Sequence, residues 1–244
     1  MVTVAQVSDP HIPPVGKLLR GIDARQRFKK IVLDIIPYNP DFVVLTGDIA
    51  AEKGNESIYS WAKDILDEIK AGKLFIPGNH DNSRLMKKVF DIGCSMGSDE
   101  LFYYKDIDYY RLIFLDTSNE IISRQQLDWL LDLHRTSEKD MILFVHHPLA
   151  LCGCYHMDSN YPLKNIEEAK ELIKECNKIK FIFAGHYHTA KKTAIYQATQ
   201  YLTPSTAFQI YQKPKKFVMD DVNYGWRILE LGKNKLNTVV KYLK

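Results

Sequence analysis

Five short polar motifs, each directly after a run of apolar residues, constrain the fold of this chain more than any other feature. The motifs are Asp9-Pro10-His11, Gly47-Asp48, Gly78-Asn79-His80-Asp81, His146-His147-Pro148 and Gly185-His186-Tyr187-His188. The apolar runs before them cover residues 2–7, 42–45, 73–76, 141–145 and 181–184, and each is typical of a strand. Because the carboxyl ends of parallel strands face one crevice in an open α/β sheet, we expect the motifs to meet at one site.

Helices are predicted between these strands by apolar residues that recur with the helical period. Two such stripes consist of Phe28, Ile31, Val32, Ile35 and Ile36, and of Ile58, Trp61, Ala62, Ile65, Leu66 and Ile69. Two further helices are predicted to begin at capping-box pairs, Ser123 with Gln126 and Asn165 with Glu168.

The remaining segments predict a hairpin and a tail of strands. Residues 101–104 and 109–115 read as the two strands of the hairpin, and the tail strands are predicted at residues 193–197, 200–202, 225–231 and 236–243. Alternating strands and helices followed by strands alone indicate an α/β fold, a four-layer α/β/β/α sandwich of two mixed β-sheets flanked by helices.

Composition narrows the classes of function. The chain has 244 residues, 45% of them hydrophobic, so residues 1–244 are expected to form a single domain. The formal net charge of +3 is too small to indicate nucleic-acid binding. No apolar run approaches the roughly 18 residues of a membrane span, and the first residues lack the features of a signal peptide.

Four cysteines, Cys94, Cys152, Cys154 and Cys176, do not make a disulfide scaffold in a chain of this length. We therefore expect a cytoplasmic protein. We also expect a monomer or homodimer whose partner is a small molecule rather than nucleic acid or a membrane.

The side chains in the five motifs are of the kinds that bind metal ions. In an extended segment, side chains at alternate positions point the same way, so Asp9 with His11, and His186 with His188, are each expected to offer two ligands to one face. The full set of candidate ligands is Asp9, His11, Asp48, Asn79, His146, His186 and His188. This set lacks thiolates and suits two borderline-to-hard divalent ions, with Asp48 able to bridge them.

Two divalent ions beside two carboxylates leave a positive site, which favours a phosphodiester or phosphomonoester substrate. A water activated by the metals would attack phosphorus, and we expect His80 to donate to the phosphate oxygens. Asp81 is predicted to orient the His80 ring. A lone Gly-Asp or Gly-Asn-His usually marks a turn, but five motifs that each follow a strand favour the metal site.

The order of the motifs resembles that of the calcineurin-like metallophosphoesterase superfamily. A second resemblance, to the bacterial class III 3′,5′-cyclic-nucleotide phosphodiesterases, lies in three later segments. These are Gly153-Cys154-Tyr155-His156-Met157-Asp158 with Leu163-Lys164-Asn165, Thr203-Pro204-Ser205-Thr206-Ala207-Phe208-Gln209, and Phe217-Val218-Met219-Asp220 with Gly225-Trp226-Arg227. The chain departs from these relatives at His156, where they carry an aromatic residue, usually tryptophan, and in a shorter connection over residues 117–123.

The resemblance implies a set of roles for the residues. One metal would be held by Asp9, His11, Asp48 and His188, and the other by Asp48, Asn79, His146 and His186. Asn79, His80 and His156 would contact the substrate, and the ions would be manganese or iron, with zinc or cobalt as alternatives.

The implied reaction is hydrolysis of 3′,5′-cyclic AMP to 5′-AMP. Two alternatives stay open at this stage. One is a broader phosphodiesterase or phosphomonoesterase that acts on glycerophosphodiesters or nucleotides, and the other is a non-catalytic scaffold of the same fold.

Overall fold

Two β-sheets form the centre of the computed structural model, which describes residues 1–93, 99–233 and 235–244; Cys94 lies outside the described residues. The first sheet has the spatial order Lys235–Leu243 (β13), Tyr224–Gly232 (β12), Val2–Val7 (β1), Phe42–Thr46 (β2) and Gly72–Ile76 (β3). The second has the order Tyr103–Asp106 (β4), Tyr110–Phe114 (β5), Asp140–Val145 (β6), Ile179–Ala184 (β7), Ala198–Leu202 (β9) and Lys191–Ile195 (β8). A two-stranded ladder joins Gln209–Ile210 (β10) to Met219–Asp220 (β11).

Both sheets are mixed, as predicted. In the first, β1, β2 and β3 are parallel, whereas β12 runs antiparallel to β1 and β13 antiparallel to β12. In the second, β5, β6, β7 and β9 are parallel, and the edge strands β4 and β8 are antiparallel to their neighbours. The carboxyl ends of β1, β2 and β3, and of β6 and β7, therefore each lie together at one edge of their sheet.

Helices cover the outer faces of both sheets. They are Ala24–Ile35 (α1), Glu56–Leu66 (α2), Ser83–Val89 (α3), Arg124–Thr136 (α4), Tyr155–Asn160 (α5) and Ile166–Glu175 (α6), with a short 3-10 helix at Ile36–Tyr38. Buried residues of α1 and α2 pack with the first sheet, and those of α4 and α6 pack with the second. The predicted α/β/β/α sandwich is confirmed.

Aromatic side chains from neighbouring strands of the second sheet stack in a ladder. Successive ring centroids lie 4.6, 5.2, 5.5 and 5.2 Å apart across Tyr103, Phe114, Phe144, Phe183 and Tyr201. The ladder belongs to the same buried cluster as the inner residues of β1 and β2, so it fills the space between the sheets. The ladder thereby contributes to the packing of the two sheets against one another.

The predicted capping boxes form only in part. Ser123 does accept a hydrogen bond from the backbone N–H of Gln126, but the Gln126 side chain pairs with the backbone of Asp116 instead of returning to Ser123 N–H. The Asn165 side chain pairs with the backbone of Ile122 and also donates to the Glu168 carboxylate, but it makes no capping hydrogen bond to the backbone of α6. In both cases a side chain of the predicted box bonds a distant backbone group in place of the missing capping bond.

Sequence patterns missed two short helices. Residues 149–163 contain α5, whose Asp158 carboxylate accepts hydrogen bonds from the backbone N–H groups of Cys152 and Cys154. Helix α3 begins at Asn82, whose side chain accepts from the N–H of Leu85. Helices of six and seven residues are too short for a detectable apolar period.

Across residues 1–93, 99–233 and 235–244, none of the helices combines the length and apolar character that crossing a membrane requires.

We predict that Phe144 in the centre of the ladder is a major source of stability. Phe144→Ala should lower the free energy of unfolding by about 3–5 kcal/mol, because it removes a buried ring and leaves a cavity. Phe144→Leu keeps most of the volume and should cost on the order of 1 kcal/mol. Urea denaturation in the presence of a chelator measures both values, and an alanine variant that loses less than about 1 kcal/mol would contradict this role for the ring.

Candidate metal centre

The five polar motifs converge at one place between the two sheets, as the sequence predicts. The Asp48 carboxylate lies 3.3 Å from Nε2 of His146 and 3.6 Å from Nε2 of His11. The Asp9 carboxylate lies 3.5 Å from Nε2 of His188. Motifs from β1, β2, β6 and β7, which are far apart along the chain, therefore meet within a few ångströms.

Four overlapping groups of side chains could each hold a metal ion. They are Asp9, His11 and His188; Asp9, Asp48 and His146; His11, Asp48 and His80; and His146, His147 and His186. Asp48 belongs to two of these groups and Asp9 to two, so the donors form one continuous cluster with room for more than one ion. This arrangement is what a bridging carboxylate requires.

The backbone at the site is strained. Asp9, His11, Asp48, His186 and His188 have φ values of 50°, 43°, 51°, 64° and 46°, in the left-handed region. Such conformations cost on the order of 1–3 kcal/mol each and cluster at functional sites. Our expectation that the paired ligands lie on extended segments was therefore wrong. The pairs Asp9 with His11 and His186 with His188 do reach the same cluster, but through tight left-handed turns.

Three motif glycines allow the loops to approach closely. A Cβ atom on Gly47 would lie 2.5 Å from Nδ1 of His146, and one on Gly78 would collide with the Asp48 carboxylate. A Cβ on Gly185 would meet the Asp9 carboxylate at 2.6 Å. These glycines are required because the loops that carry the ligands pack directly on the ligands of neighbouring loops.

Backbone carbonyls determine which nitrogen of each imidazole faces the cluster. Nδ1 of His146 lies 2.8 Å from the carbonyl oxygen of Thr46, and Nε2 of His186 lies 3.0 Å from that of Tyr161. Because a carbonyl oxygen only accepts, each of these nitrogens carries the proton. Nε2 of His146 and Nδ1 of His186 are therefore the nitrogens that face the cluster, and histidine binds a metal through such a nitrogen once it is unprotonated.

Several buried polar atoms lack a protein partner at the centre of the cluster. Nε2 of His146 and Oδ1 of Asn79 have no hydrogen-bond partner among the described residues. Nε2 of His11 and Nε2 of His188 face each other at 3.0 Å, and Nδ1 of His188 lies 3.2 Å from a backbone carbonyl. Orphaned buried atoms cost free energy unless something binds them. The donor set fits divalent metal ions.

The ionisation of these groups also suits metal binding. Burial lowers the pKa of His11 to about 4 and that of His186 to about 3, so both are neutral at pH 7. Burial acts to raise the pKa of Asp48, but His146 and His11 outweigh it and hold that pKa well below its usual value. Burial acts to lower the pKa of His146, but the Asp48 charge outweighs it and raises it to about 9. Neutral imidazoles and ionised carboxylates are the forms that bind metals, and a metal would displace the His146 proton.

His80 lies where a donor to bound substrate is expected. Its backbone N–H donates to Oδ1 of Asp48 at 2.9 Å, and its partly exposed ring lies in T-shaped contact with His11, with centroids 5.1 Å apart. The ring lines a cavity of about 970 Å³ that opens from the cluster. Nδ1 of the ring lies 3.0 Å from the carbonyl oxygen of Glu52, which fixes the orientation of the ring.

Asp81 does not have the role that we predicted from the sequence. Its carboxylate accepts hydrogen bonds from the backbone N–H groups of Ile49, Ala50 and Gly78 and from the Tyr59 hydroxyl, so it ties two motif loops together. The structure therefore contradicts the prediction that Asp81 orients the His80 ring. Burial, with the nearby Asp48 charge, raises the Asp81 pKa to about 6 despite these donors.

Two other histidines lie near the centre. His147 is fully buried, with Nδ1 2.9 Å from Oγ1 of Thr117, and it does not line the cavity. Its ring nevertheless shares a metal-capable group with His146 and His186. His156, on α5, does line the cavity.

Several residues of the cavity wall were not assigned to the site from the sequence. Lys17, Arg20, Tyr161, Phe208 and Phe217 line it together with the motif residues. The guanidinium of Arg20 lies 4.9 Å from the centre of the Phe217 ring. Lys17, Arg20 and Tyr161 come from irregular loops, where neither period nor motif marks them, whereas Phe208 and Phe217 lie in two of the segments that carry the resemblance to cyclic-nucleotide phosphodiesterases.

The fold and this cluster define a metal-dependent phosphoesterase. The family model described as calcineurin-like phosphoesterase matches residues 2–190. The chain belongs to this family, and the prediction of a metallophosphoesterase is confirmed.

Individual proteins that are similar to this chain are named as phosphodiesterases or phosphatases. A protein from Fibrobacter succinogenes named "probable cyclic nucleotide phosphodiesterase" is 33% identical over 99% of this chain and 94% of its own length. A "probable glycerophosphodiester phosphodiesterase" from Arcobacter nitrofigilis is 28% identical over 78% of this chain and 73% of its own length. A dimetal phosphatase from Danio rerio has the same fold, with a TM-score of 0.75 at 14% identity, over 99% of this chain and 95% of its own.

We predict that Gly78→Ala empties part of the metal centre. The new Cβ would displace the Asp48 carboxylate, whereas at Gly232 the nearest described atoms lie 4.0 Å away, so Gly232→Ala is a matched control. After manganese loading and dialysis, elemental analysis should find fewer ions in Gly78→Ala than in the control. A folded Gly78→Ala protein with the control's metal content would contradict the close packing of these loops.

Proposed function

We propose that this protein is a dinuclear-metal phosphodiesterase that hydrolyses 3′,5′-cyclic nucleotides, with cyclic AMP to 5′-AMP as the first choice of reaction. The observation that carries the proposal is the position of Asp48, shared by two metal-capable groups at the base of a large cavity. The Fibrobacter succinogenes relative, whose name assigns it cyclic nucleotides, supports the choice of substrate.

Each proposed ion has its own set of ligands, and Asp48 is common to both. One ion would be held by Asp9, His11, Asp48 and His188, and the other by Asp48, Asn79, His146 and His186. The ring nitrogens that face the cluster and the unpartnered Asn79 oxygen support this division. The mixture of imidazole and oxygen donors suits manganese or iron, with zinc or cobalt as alternatives.

Two bound ions would lower the pKa of a coordinated water and polarise the phosphoryl oxygens. The protein's own contribution is positioning. His80 reaches the cavity beside Asp48, and its Nδ1 donates to the Glu52 carbonyl, so its Nε2 donates to a phosphate oxygen only when the ring carries both protons. We assign His80 in this doubly protonated form as the donor to the transition state, and Asn79 as a contact to the same phosphate.

The cavity has features that suit a nucleoside. Its volume of about 970 Å³ lies at the upper end of the range for small-molecule sites. His156 lies 6.0 Å from Phe217 and 5.7 Å from Tyr161, between ring centroids, which makes an aromatic wall on which a base can stack. Lys17 and Arg20 place positive charge at the same wall, where an anionic substrate enters.

A broader phosphodiesterase is the alternative, and the Arcobacter nitrofigilis relative favours it. Glycerophosphodiesters carry no planar group, so they would not use the aromatic wall. The scaffold alternative is less consistent with the site, because each of the proposed ligands is present. We further propose a small-molecule partner rather than nucleic acid or a membrane, a monomer or homodimer, and a cytoplasmic location.

We predict that His80→Ala keeps both metals but loses most of its turnover rate. Loss of a single positioned donor should lower kcat by roughly 10²–10⁴-fold. His134→Ala, a substitution in α4 outside the cavity lining, is the control. Steady-state kinetics and elemental analysis on the same preparations test this. If metal content falls in proportion to kcat, His80 is a metal ligand and the assignment is wrong.

We also predict that cyclic AMP is hydrolysed and that His156→Ala raises KM more than it lowers kcat, since stacking away from phosphorus is mostly uniform binding. Tyr155→Ala, at an exposed neighbour on α5 that does not line the cavity, is the control. The test is a panel of cyclic AMP, cyclic GMP, a glycerophosphodiester and bis-p-nitrophenyl phosphate. Cleavage of the last two without either cyclic nucleotide would contradict the proposal in favour of the broader enzyme.

A further inference from the structure

Arg227 in β12 is a buried cation with an unusual set of partners. Its side chain donates to Oγ1 of Thr203 at 3.0 Å, to the carbonyl oxygen of Leu202 at 2.8 Å and to Oγ1 of Thr238 at 3.1 Å. The residue is only 5% exposed. Among the described residues, no carboxylate lies within ion-pair distance of it. The Tyr201 ring, whose centroid lies 5.3 Å from the guanidinium carbon, compensates part of the charge. A buried charge is costly unless it is compensated, and the hydrogen bonds of Arg227 connect it further to an anionic group.

A chain of hydrogen bonds leads from Arg227 across to the first sheet. The Thr203 hydroxyl, which accepts from Arg227, donates to Oε1 of Gln6 at 2.5 Å. Nε2 of Gln6 in turn donates to Oγ1 of Thr46 at 3.1 Å. Gln6, Thr46 and Thr203 have no solvent exposure, so water does not interrupt the chain.

The chain ends at the metal centre. The Thr46 hydroxyl donates to Oγ of Ser8 at 2.8 Å, and the Ser8 hydroxyl donates to Oδ2 of Asp9 at 2.5 Å. The other carboxylate oxygen, Oδ1, is the one that lies 3.5 Å from Nε2 of His188 and 4.0 Å from Nε2 of His146. Oδ2 of Asp9 is thus held by the chain, Oδ1 faces the metal-capable cluster, and the backbone N–H of His186 donates to both oxygens at 3.0 Å.

The two ends of the chain, Arg227 and Asp9, fix the direction of its hydrogen bonds. A guanidinium only donates, so the Thr203 hydroxyl must accept from Arg227 and pass its own proton to Gln6. An ionised carboxylate only accepts, so Ser8 must donate to Asp9 and accept from Thr46. Every donor in the chain therefore points from Arg227 toward Asp9. Hydrogen bonds aligned in one direction polarise and strengthen one another.

We propose that Arg227 is a positioning residue for the metal centre, acting on Asp9 through the relay of Thr203, Gln6, Thr46 and Ser8. The relay holds Oδ2 of Asp9 and presents Oδ1 to the metal, and it joins the opposite charges of Arg227 and Asp9 through aligned dipoles. The inference rests on the dinuclear site of the proposed function, but it is independent of the substrate.

Substitutions of two threonines distinguish loss of the relay from the mere loss of a hydrogen bond to Arg227. Thr203→Val keeps the side-chain shape but breaks the relay, and Thr203→Ser restores the hydroxyl. Thr238→Val also removes one hydrogen bond of Arg227, but Thr238 lies outside the relay. Calorimetric titration of the metal-free proteins with Mn²⁺ measures affinity directly, and thermal unfolding of the metal-free proteins checks that each is folded.

Thr203→Val should weaken manganese binding by about 10–100-fold, as loss of a hydrogen bond behind a ligand commonly does. Thr203→Ser and Thr238→Val should stay within about threefold of the unsubstituted protein. Equal weakening in Thr203→Val and Thr238→Val would show that only the packing of Arg227 matters, and unchanged affinity in folded Thr203→Val would also overturn the relay. If the unsubstituted protein binds no manganese, iron or zinc, the proposed function fails with it.

Discussion

The Asp48 carboxylate is the interaction on which the rest of the site depends. It is buried, it accepts the backbone N–H of His80 at 2.9 Å, and it lies within 3.6 Å of ring nitrogens from two other loops. A buried carboxylate is stable only with positive charge or donors around it. The loops after β1, β2, β3 and β6 are therefore fixed relative to one another by the same group that we propose bridges the ions.

The site is built at a cost to stability that the rest of the fold offsets. Left-handed backbone at ligand residues such as Asp9 and His188 is unfavourable in isolation. The aromatic ladder between the sheets and the Asp81 carboxylate, which ties two loops, hold this geometry in place. Bound metal would relieve part of the electrostatic cost, so metal binding would offset part of the free energy that the strained site costs.

Much of this arrangement was predictable because strands and the polar residues at their ends leave a clear sequence signal. The positions of β1 and β2 and the meeting of their motifs followed from apolar runs alone. The predictions that failed concern side chains whose partners only the tertiary structure supplies. Gln126 pairs with Asp116 rather than completing a capping box, and Asp81 binds backbone amides rather than His80. Cavity residues such as Arg20 and Phe217 come from loops without a period, and only the tertiary structure brings them together.

Anomalous X-ray diffraction from crystals grown with manganese tests directly whether the Asp48 carboxylate bridges two metal ions. We expect two anomalous peaks roughly 3.5–4 Å apart, with the Asp48 carboxylate in contact with both. A single peak at full occupancy, or two peaks of which Asp48 touches neither or only one, would contradict a bridged dinuclear centre.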